Sequence, residues 1–270
     1  MIDAHCHLQD PRLGSLDVAT LPSHGIDAMV VNGTCPADWT SVSDLAHRYP
    51  GLVLPAFGLH PWNVGATRDH PAWEEELREL LRRYPHASVG EIGLDRWKNP
   101  EEFPGQEDAF RRQLSLAETM NRPASIHCLR AWGPLVDCLE ERPTLPPSLL
   151  LHSFGGSLEI AERLLQLPTK VFFSFAGYFL RTGKQNVRDV FRQLPLPSVL
   201  LETDAPDQRL PENEEAFPLQ DGERNPINHP GNLSEIYRAF AKLRNMPSED
   251  LHQAIDQNAR SFLLDRLGDL

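Results

Sequence analysis

Short apolar runs recur at fairly regular spacing along the chain, and eight of them have the length and composition of buried β-strands. They cover Ile2–Leu8, Ala28–Asn32, Leu52–Gly58, Ala87–Gly93, Ala124–Cys128, Leu149–Phe154, Val171–Gly177 and Val199–Thr203. Amphipathic patterns typical of helices lie between most of these runs and after the last one, over Trp39–Tyr49, Pro71–Tyr84, Gly105–Asn121, Ala131–Glu141, Leu158–Leu167, Lys184–Leu194, Leu233–Arg244 and Ser248–Leu267. This alternation predicts an α/β protein with parallel strands and right-handed crossovers.

Eight strands in one chain favour a (β/α)8 TIM-type barrel. The competing architecture is an open, doubly wound parallel sheet. Its nucleotide-binding versions are disfavoured, because no GxGxxG follows an early strand and no GxxxxGK[ST] occurs in the sequence. No repeat or linker divides the chain, so residues 1–270 are expected to form a single domain. The longest irregular segment, Pro206–Pro230, follows the eighth strand and would border the mouth of a barrel.

Composition restricts the location and the binding partners. The 270 residues are 40% hydrophobic and carry a formal net charge of −12. Because the sequence has no signal peptide and no apolar run of roughly 20 residues, we expect a cytoplasmic protein that does not enter membranes. The four cysteines form no CxxC motif, as expected of reduced, packed thiols, and no feature indicates an obligate protein partner. Without a long basic run, a phosphate-rich substrate would need metal ions or a few well-placed arginines.

Polar side chains that can bind metals fall at the ends of several predicted strands. The first strand contains "IDAHCHL", in which His5 and His7 are two residues apart. Side chains alternate along a strand, so both imidazoles are expected on one side, with Ala4 and Cys6 on the other. The carboxyl ends of barrel strands meet at one face. The residues expected to converge there are His5, His7, Glu91, His127, His152 and Asp204.

Four imidazoles and two carboxylates in one pocket need a common partner, because burying each unpaired costs several kcal/mol. Taken singly, a strand histidine can be hydrogen-bonded in the core, and Asp204 can cap the turn before Pro206. Taken together, the six residues predict divalent cations. The mixed donors suit Zn, Mn, Fe, Co or Ni, with Mg possible through the carboxylates. Six ligands suit two ions about 3.5–4 Å apart, bridged by Glu91, which would lower the pKa of a bound water for hydrolysis.

The motifs "DAHCHL", "GLHPW", "VGEIGLD", "IHC", "LHSFGGS" and "LLETDAPD" stand in this order across residues 3–207, and "NPINHPGN" and "NARSFL" follow. In this order and spacing the chain resembles the TatD family of metal-dependent deoxyribonucleases, within the amidohydrolase-like superfamily. The resemblance implies a (β/α)8 barrel and a hydrolase with two metal ions. It places His5, His7 and Asp204 on one ion and His127 and His152 on the other. Glu91 would bridge the ions, and Asp204 would also orient or deprotonate the attacking water.

The resemblance also suggests residues that contact the substrate. His60, in "GLHPW", is expected to line the site and to contact a substrate phosphate. Family members often follow the histidine of the fifth strand with Thr-Arg-Asp, whereas this chain has "HCLRAW" and places Arg130 one position later. Arg130 is therefore only a candidate for substrate binding. Further candidates for the mouth are Arg96, Arg209 and Arg224. Glu202 is expected one layer below Asp204, as a support that needs a cationic or hydrogen-bonding partner.

Three functions remain open at this stage. The first is a phosphodiesterase that acts as an exonuclease on single-stranded DNA. The second is a hydrolase that uses the same metals on a small amide, ester, lactone or phosphate compound, which the acidic composition and the altered segment after His127 slightly favour. The third is a binding module without activity, which has no need for six convergent ligands.

Overall fold

Eight parallel strands surround the centre of the molecule in the order of the chain. The computed structural model describes residues 1–67 and 70–265. The strands are β1 Ile2–Cys6, β2 Ala28–Asn32, β3 Val53–Phe57, β4 Ser88–Asp95, β5 Ala124–Leu129, β6 Ser148–Leu151, β7 Lys170–Ala176 and β8 Val199–Glu202. The last strand meets the first where the backbone N–H of Asp204 donates to His5 O (2.9 Å) and that of His7 donates to Ala205 O (2.8 Å). The predicted (β/α)8 barrel is confirmed.

Helices follow every strand except the first, which connects to β2 through two 3-10 turns, Pro11–Leu13 and Val18–His24. The last predicted helix was expected to reach Leu267, a position outside the described residues, whereas the observed helix ends at Phe262. No helix in residues 1–67 and 70–265 combines the length and apolarity needed to cross a bilayer. The helices are α1 Pro36–Arg48, α2 Trp73–Arg83, α3 Phe103–Thr119, α4 Trp132–Glu140, α5 Leu158–Leu164, α6 Gln185–Gln193, α7 Leu233–Arg244 and α8 Ser248–Phe262.

Two apolar layers follow from the alternation of side chains along the strands. Leu149 and Leu151 of β6 belong to the larger cluster, which packs the strands against the helices. Leu150, between them, belongs to a smaller cluster inside the barrel that includes Phe262, the last residue of α8. The apolar interior is thus closed by the carboxyl end of α8.

The alternation is interrupted in β1, where the pairing with β2 shifts register between Asp3 and Cys6. Ala4 packs in the inner cluster and Cys6 in the outer one. The strict alternation expected along this strand, with Ala4 and Cys6 on one side, therefore does not hold across the shift. A second shift lies in β4, between Val89 and Ile92 and beside Glu91.

The segment after β8 is more ordered than the sequence predicts. Within Pro206–Pro230, the strands Pro218–Gln220 and Pro226–Asn228 form a short antiparallel pair. Asn228 fixes the end of this segment against the barrel, because its backbone N–H donates to Pro206 O (2.8 Å) and its side-chain amide donates to Thr203 O (2.7 Å). The segment follows the carboxyl end of β8 and therefore lies at the mouth of the barrel, as expected.

Candidate metal centre

A cavity of about 710 Å³ opens at the carboxyl ends of the strands. Five of the six predicted ligands line it, and the sixth, His5, is fully buried beside them. The barrel thus brings together residues that are up to about two hundred positions apart, as the sequence analysis expected. The lining ligands are His7, Glu91, His127, His152 and Asp204.

One carboxylate oxygen of Glu91 faces the two histidines of β1. Glu91 Oε2 lies 3.2 Å from His7 Nε2 and 3.4 Å from His5 Nε2. Asp204 Oδ1 approaches the same two nitrogens, at 3.5 and 3.7 Å. The other nitrogen of His5 lies 2.9 Å from Ser125 Oγ, so this ring has a fixed orientation. These four side chains form the first group of donors.

The other carboxylate oxygen of Glu91 faces a second set of imidazoles. Glu91 Oε1 lies 2.7 Å from His152 Nε2, 3.1 Å from His127 Nδ1 and 3.2 Å from His60 Nε2. The rings of His152 and His5 stack with centroids 3.9 Å apart, so the two groups are in direct contact. Glu91 therefore stands between two clusters of donors and presents one oxygen to each.

For His7 and His127, a hydrogen bond to a group outside the two sets of donors determines which ring nitrogen faces Glu91 with its lone pair. His7 donates from Nδ1 to Asn32 O (2.8 Å), which leaves the lone pair of the neutral ring on Nε2, facing Glu91 and Asp204. His127 bonds through Nε2 to Asp95 Oδ2 (3.0 Å), which leaves Nδ1 facing Glu91. Carboxylates and carbonyls commonly orient metal-binding imidazoles in this way. Buried imidazoles and carboxylates with inward lone pairs therefore fit divalent cations.

His60 has the opposite orientation. Its Nδ1 accepts the backbone N–H of Trp62 (3.1 Å), so the neutral ring carries its proton on Nε2, the atom that faces Glu91. Burial lowers the pKa of His60 to about 4, so the ring is neutral at physiological pH. A nitrogen that bears a proton donates a hydrogen bond and does not ligate a metal. By distance His60 could join the second group, but its tautomer instead favours the predicted contact with substrate.

Charges in the centre depend on one another. Burial favours the neutral acid of Glu91, yet the charge of His152 and the hydrogen bond from His127 hold the pKa of Glu91 well below its usual value. Burial likewise opposes the charge of His7, but hydrogen bonds to Asp204 and Glu91 raise the pKa of His7 well above its usual value. Ligating histidines must be deprotonated, so cation binding here is expected to release protons.

Supporting carboxylates surround the donors. Glu202, predicted from the sequence as a support, accepts hydrogen bonds from the backbone N–H of Ser153 (2.7 Å) and from the hydroxyl of Ser174. Its Oε1 lies 3.7 Å from His152 Nδ1, an atom without a hydrogen-bond partner. Glu202 thus has the hydrogen-bonding partners that its burial requires.

Asp95 was missed by the sequence analysis. It is buried, and it holds His127 through the hydrogen bond described above. The signal was present in "GEIGLD", because Asp95 lies four residues after Glu91 on one strand and should face the same way. Gly93, between them, has φ +145°, and a Cβ there would lie 2.0 Å from His127 O. Glycine therefore allows β4 to approach the part of β5 that carries His127.

The predicted arginine contacts are not found in the cavity lining. Arg130 is exposed, has φ +56°, and is not among the described residues that line the cavity. Arg96 stacks over Phe103 (4.1 Å to the ring centroid), Arg209 pairs with a glutamate of its own loop, and Arg224 is exposed. The contact between Arg130 and a substrate phosphate therefore remains a prediction, and none of these placements supports it.

Arg12, which the sequence analysis did not single out, does line the cavity. It donates to both oxygens of Asp207 (2.9 and 2.7 Å) and to Asp10 Oδ2 (2.8 Å). It therefore ties the segment after β1 to the segment after β8, and its guanidinium is engaged by two carboxylates. Local sequence could not reveal this contact, because Arg12 and Asp207 are 195 positions apart.

The sequence matches the family model of the TatD-related DNases over residues 2–264. It is 33% identical over 262 residues to the uncharacterized metal-dependent hydrolase YjjV of Escherichia coli, a match that covers 95% of each chain. The fold resembles the crystal structure of that protein with a TM-score of 0.85 at 31% identity, over 97% of each chain.

Some of the relatives carry named activities. The 3'-5' ssDNA/RNA exonuclease TatD of Edwardsiella piscicida is 29% identical over 247 residues, 91% of each chain. The human deoxyribonuclease TATDN3 is 27% identical over 274 residues, which cover 96% of this chain and 93% of that one. The resemblance inferred from the motifs is confirmed: the chain belongs to the family of TatD-related DNases and is a metal-dependent hydrolase.

Proposed function

We propose that this hydrolase is a deoxyribonuclease that acts on single-stranded DNA as an exonuclease with two divalent metal ions. The observation that carries the proposal is the position of Glu91, whose two oxygens face two separate groups of donors. A carboxylate that can bridge two ions suits a two-metal site, which can stabilise both the attacking and the leaving oxygen in phosphodiester hydrolysis. The names of the relatives as deoxyribonuclease and single-strand exonuclease support this substrate class.

His5, His7 and Asp204 would hold one ion, His127 and His152 the other, and Glu91 both. The ions would supply Lewis acidity that activates water and stabilises charge on the phosphate. Imidazole-rich donors favour Zn, Mn, Fe, Co or Ni, and the carboxylates also admit Mg. The number of ions and their identity are part of the proposal.

The other functional groups belong to the chain itself. Burial alone would raise the pKa of Asp204, but the hydrogen bond from His7 and the charge of His152 outweigh this effect. The pKa of Asp204 is therefore below its usual value, and the carboxylate is ionised at neutral pH. We assign Asp204 to orienting the attacking water and accepting its proton. We also assign His60, whose Nε2 carries the proton and lies beside Glu91, to donating a hydrogen bond to a phosphate oxygen of the substrate. Both side chains line the same cavity.

Hydrolysis of a small amide, ester, lactone or phosphate compound is the second candidate. A cavity of about 710 Å³ has the volume of a small-ligand site. Arg12 in the lining is already paired with two carboxylates, which weakens the electrostatic case for a polynucleotide. We further propose that residues 1–270 form one domain and that the protein works in the cytoplasm, where its four free cysteines would stay reduced.

A side-by-side assay separates the two candidates. The purified protein is loaded with Mn²⁺, Mg²⁺ or Zn²⁺ and tested on end-labelled single-stranded oligonucleotides, on duplexes and on small esters. We expect stepwise shortening of single strands. Glu91→Gln should reduce the rate by at least about 10³-fold, because an amide has no negative charge and only one ligating oxygen, so it cannot bridge two ions.

Glu79→Gln, which changes an exposed glutamate of α2, is the matched control and should retain full activity. Circular dichroism must show both variants folded. Activity retained by Glu91→Gln would contradict the assigned site. Hydrolysis of esters without hydrolysis of oligonucleotides would favour the second candidate.

A further inference from the structure

In residues 1–67 and 70–265, two large apolar side chains are more than a third exposed: Trp97 at 55% and Leu129 at 37%. Both line the cavity of the metal centre. A scattered exposed apolar residue needs no explanation, whereas a group of them beside a catalytic cavity indicates a binding surface. Trp62, from the segment after β3, lines the same cavity. We refer to Trp62, Trp97 and Leu129 as the apolar rim.

The apolar rim continues from the candidate ligands. The ring centroid of Trp62 lies 6.1 Å from that of His127 and 6.4 Å from that of Trp97. Leu129 ends β5 and pairs in register with Asp95, the last residue of β4, so Trp97 and Leu129 leave neighbouring strand ends. A planar group bound near the ions would therefore meet an apolar surface on this side of the cavity.

Asp95 gives the rim a fixed geometry. Its Oδ1 accepts the backbone N–H groups of Trp97 (2.6 Å) and Lys98 (3.1 Å). Its Oδ2 accepts the indole N–H of Trp62 (2.6 Å) and the hydrogen bond from His127. Lys98 Nζ lies 3.9 Å from the centroid of the Trp62 ring and thus covers one of its faces. Trp97 is consequently the exposed ring of the rim. Asp95 links the backbone of Trp97 to His127, a candidate metal ligand.

We propose that Trp97 is a stacking surface for a nucleobase of a single-stranded substrate whose phosphate is bound at the metal centre. This inference rests on the proposed function and adds the contact that binds the base. Proteins gain affinity for phosphate backbones mainly through cations, and this chain has a net charge of −12. Stacking on an aromatic ring depends little on charge and is tolerant of sequence, since every base has a π-face.

The test combines a change in the protein with a change in the substrate. Trp97→Ala, Trp97→Phe and wild type are compared on a short single-stranded oligodeoxynucleotide and on the same strand with abasic terminal nucleotides. We expect Trp97→Ala to raise KM for the normal strand about 5- to 150-fold, with a smaller change in kcat. Trp97→Phe keeps a ring and should stay within about threefold of wild type. Tyr178→Ala, which changes a partly exposed aromatic residue outside the cavity lining, is the control and should leave KM unchanged.

The decisive result is the coupling between the two changes. Abasic ends should weaken the wild type as strongly as Trp97→Ala weakens binding of the normal strand, and the two losses should not multiply. Multiplied losses, or an unchanged KM in Trp97→Ala, would overturn the proposal. Sedimentation that shows a wild-type assembly lost in Trp97→Ala, with KM unchanged, would assign the rim to self-association and also overturn it.

A protein that cleaves no oligonucleotide would contradict the proposed function, and the stacking surface is then tested by binding alone. Fluorescence anisotropy of the two labelled strands on the Mn²⁺-loaded protein supplies that measurement. Binding that depends on the terminal bases and on Trp97 would retain the stacking surface. Absence of binding, or binding indifferent to both, would overturn it.

Discussion

The two ends of the barrel interior differ in chemistry although the same strands build both. Leu150 and Leu200 lie in the inner apolar cluster, next to Phe262. Two positions after Leu150, β6 has ended and His152 faces Glu91. Four positions after Leu200 the chain presents Asp204 to the same centre. Only two to four residues along the chain thus separate the apolar end of the barrel interior, which stabilises the fold, from the carboxyl end, which carries the candidate metal ligands.

At the carboxyl end, buried charge occurs together with left-handed backbone geometry after three of the strands. Arg130, Ser153 and Asp204 follow β5, β6 and β8 and have φ of +56°, +44° and +51°. Such left-handed geometry costs about 1–3 kcal/mol for each residue other than glycine, and it occurs often at functional sites. The amino end also has left-handed residues, Leu264 and Asp265 after α8, but the side chains of its interior cluster are apolar. The comparison predicts that substitutions at the two ends change different properties.

The largest expected effect is on stability, from Phe262→Ala at the apolar end. Phe262 is fully buried and contacts Phe172 with ring centroids 5.8 Å apart. Its truncation leaves a cavity and should lower the free energy of unfolding by about 3–5 kcal/mol. Urea unfolding measures the loss. The metal affinity of the remaining folded protein should be unchanged, and a large fall in affinity would contradict the separation of the two ends.

The next effect is on metal affinity, from Asp95→Asn at the polar end. The amide cannot hold His127 as a carboxylate does, so affinity should fall about 10- to 100-fold while the fold persists. Competition with a chelator measures affinity, and thermal melting measures stability. Asp108→Asn, on the exposed face of α3, is the matched control. Unchanged affinity would show that Asp95 does not position the ligand.

The strands and the six converging residues could be predicted because both depend on local periodicity. The strand ends shift by no more than three residues from the predicted runs, as in β6, where Phe154 was expected and Leu151 is found. His5 and His7 could be paired from spacing alone. In a (β/α)8 barrel the carboxyl ends of all strands meet at one face, so His127 and His152 were expected at the same face as His5 and His7.

Other features depend on three-dimensional contacts that the pattern of residue types does not encode. Arg12 meets Asp207 across 195 positions, and no local pattern encodes that pair. The exposure of Trp97 follows from its position just beyond the end of β4 at the cavity mouth, and the residue type alone does not show it. The tautomer of His60 depends on one backbone N–H, that of Trp62. The details of the site that depend on individual contacts in the folded structure were therefore the hardest to predict from the sequence.

The smallest expected effect concerns His229, an imidazole that lies against aromatic rings. It stacks on Phe217 (5.3 Å between centroids), near His24 (6.0 Å), and its Nδ1 accepts the backbone N–H of Gly231 (2.8 Å). Burial, and then the neighbouring His24, lower the pKa of His229 to about 4. Protonation would also abolish the bond from Gly231, because Nδ1 would carry a proton.

A lowered histidine pKa fixes the sign of the pH dependence. Between about pH 6.5, the value for an unfolded chain, and about pH 4, the unfolded state binds a proton that the folded state does not. The stability due to a neutral His229 is therefore complete above that range and is lost as the pH falls. His229→Asn keeps an acceptor for Gly231 but does not titrate. The loss of unfolding free energy from about pH 7.5 to about pH 5 should be smaller in this variant by about 1–2 kcal/mol, after allowance for partial exposure. Urea unfolding at both pH values measures the difference, and equal losses would show that His229 does not contribute to the pH dependence of stability.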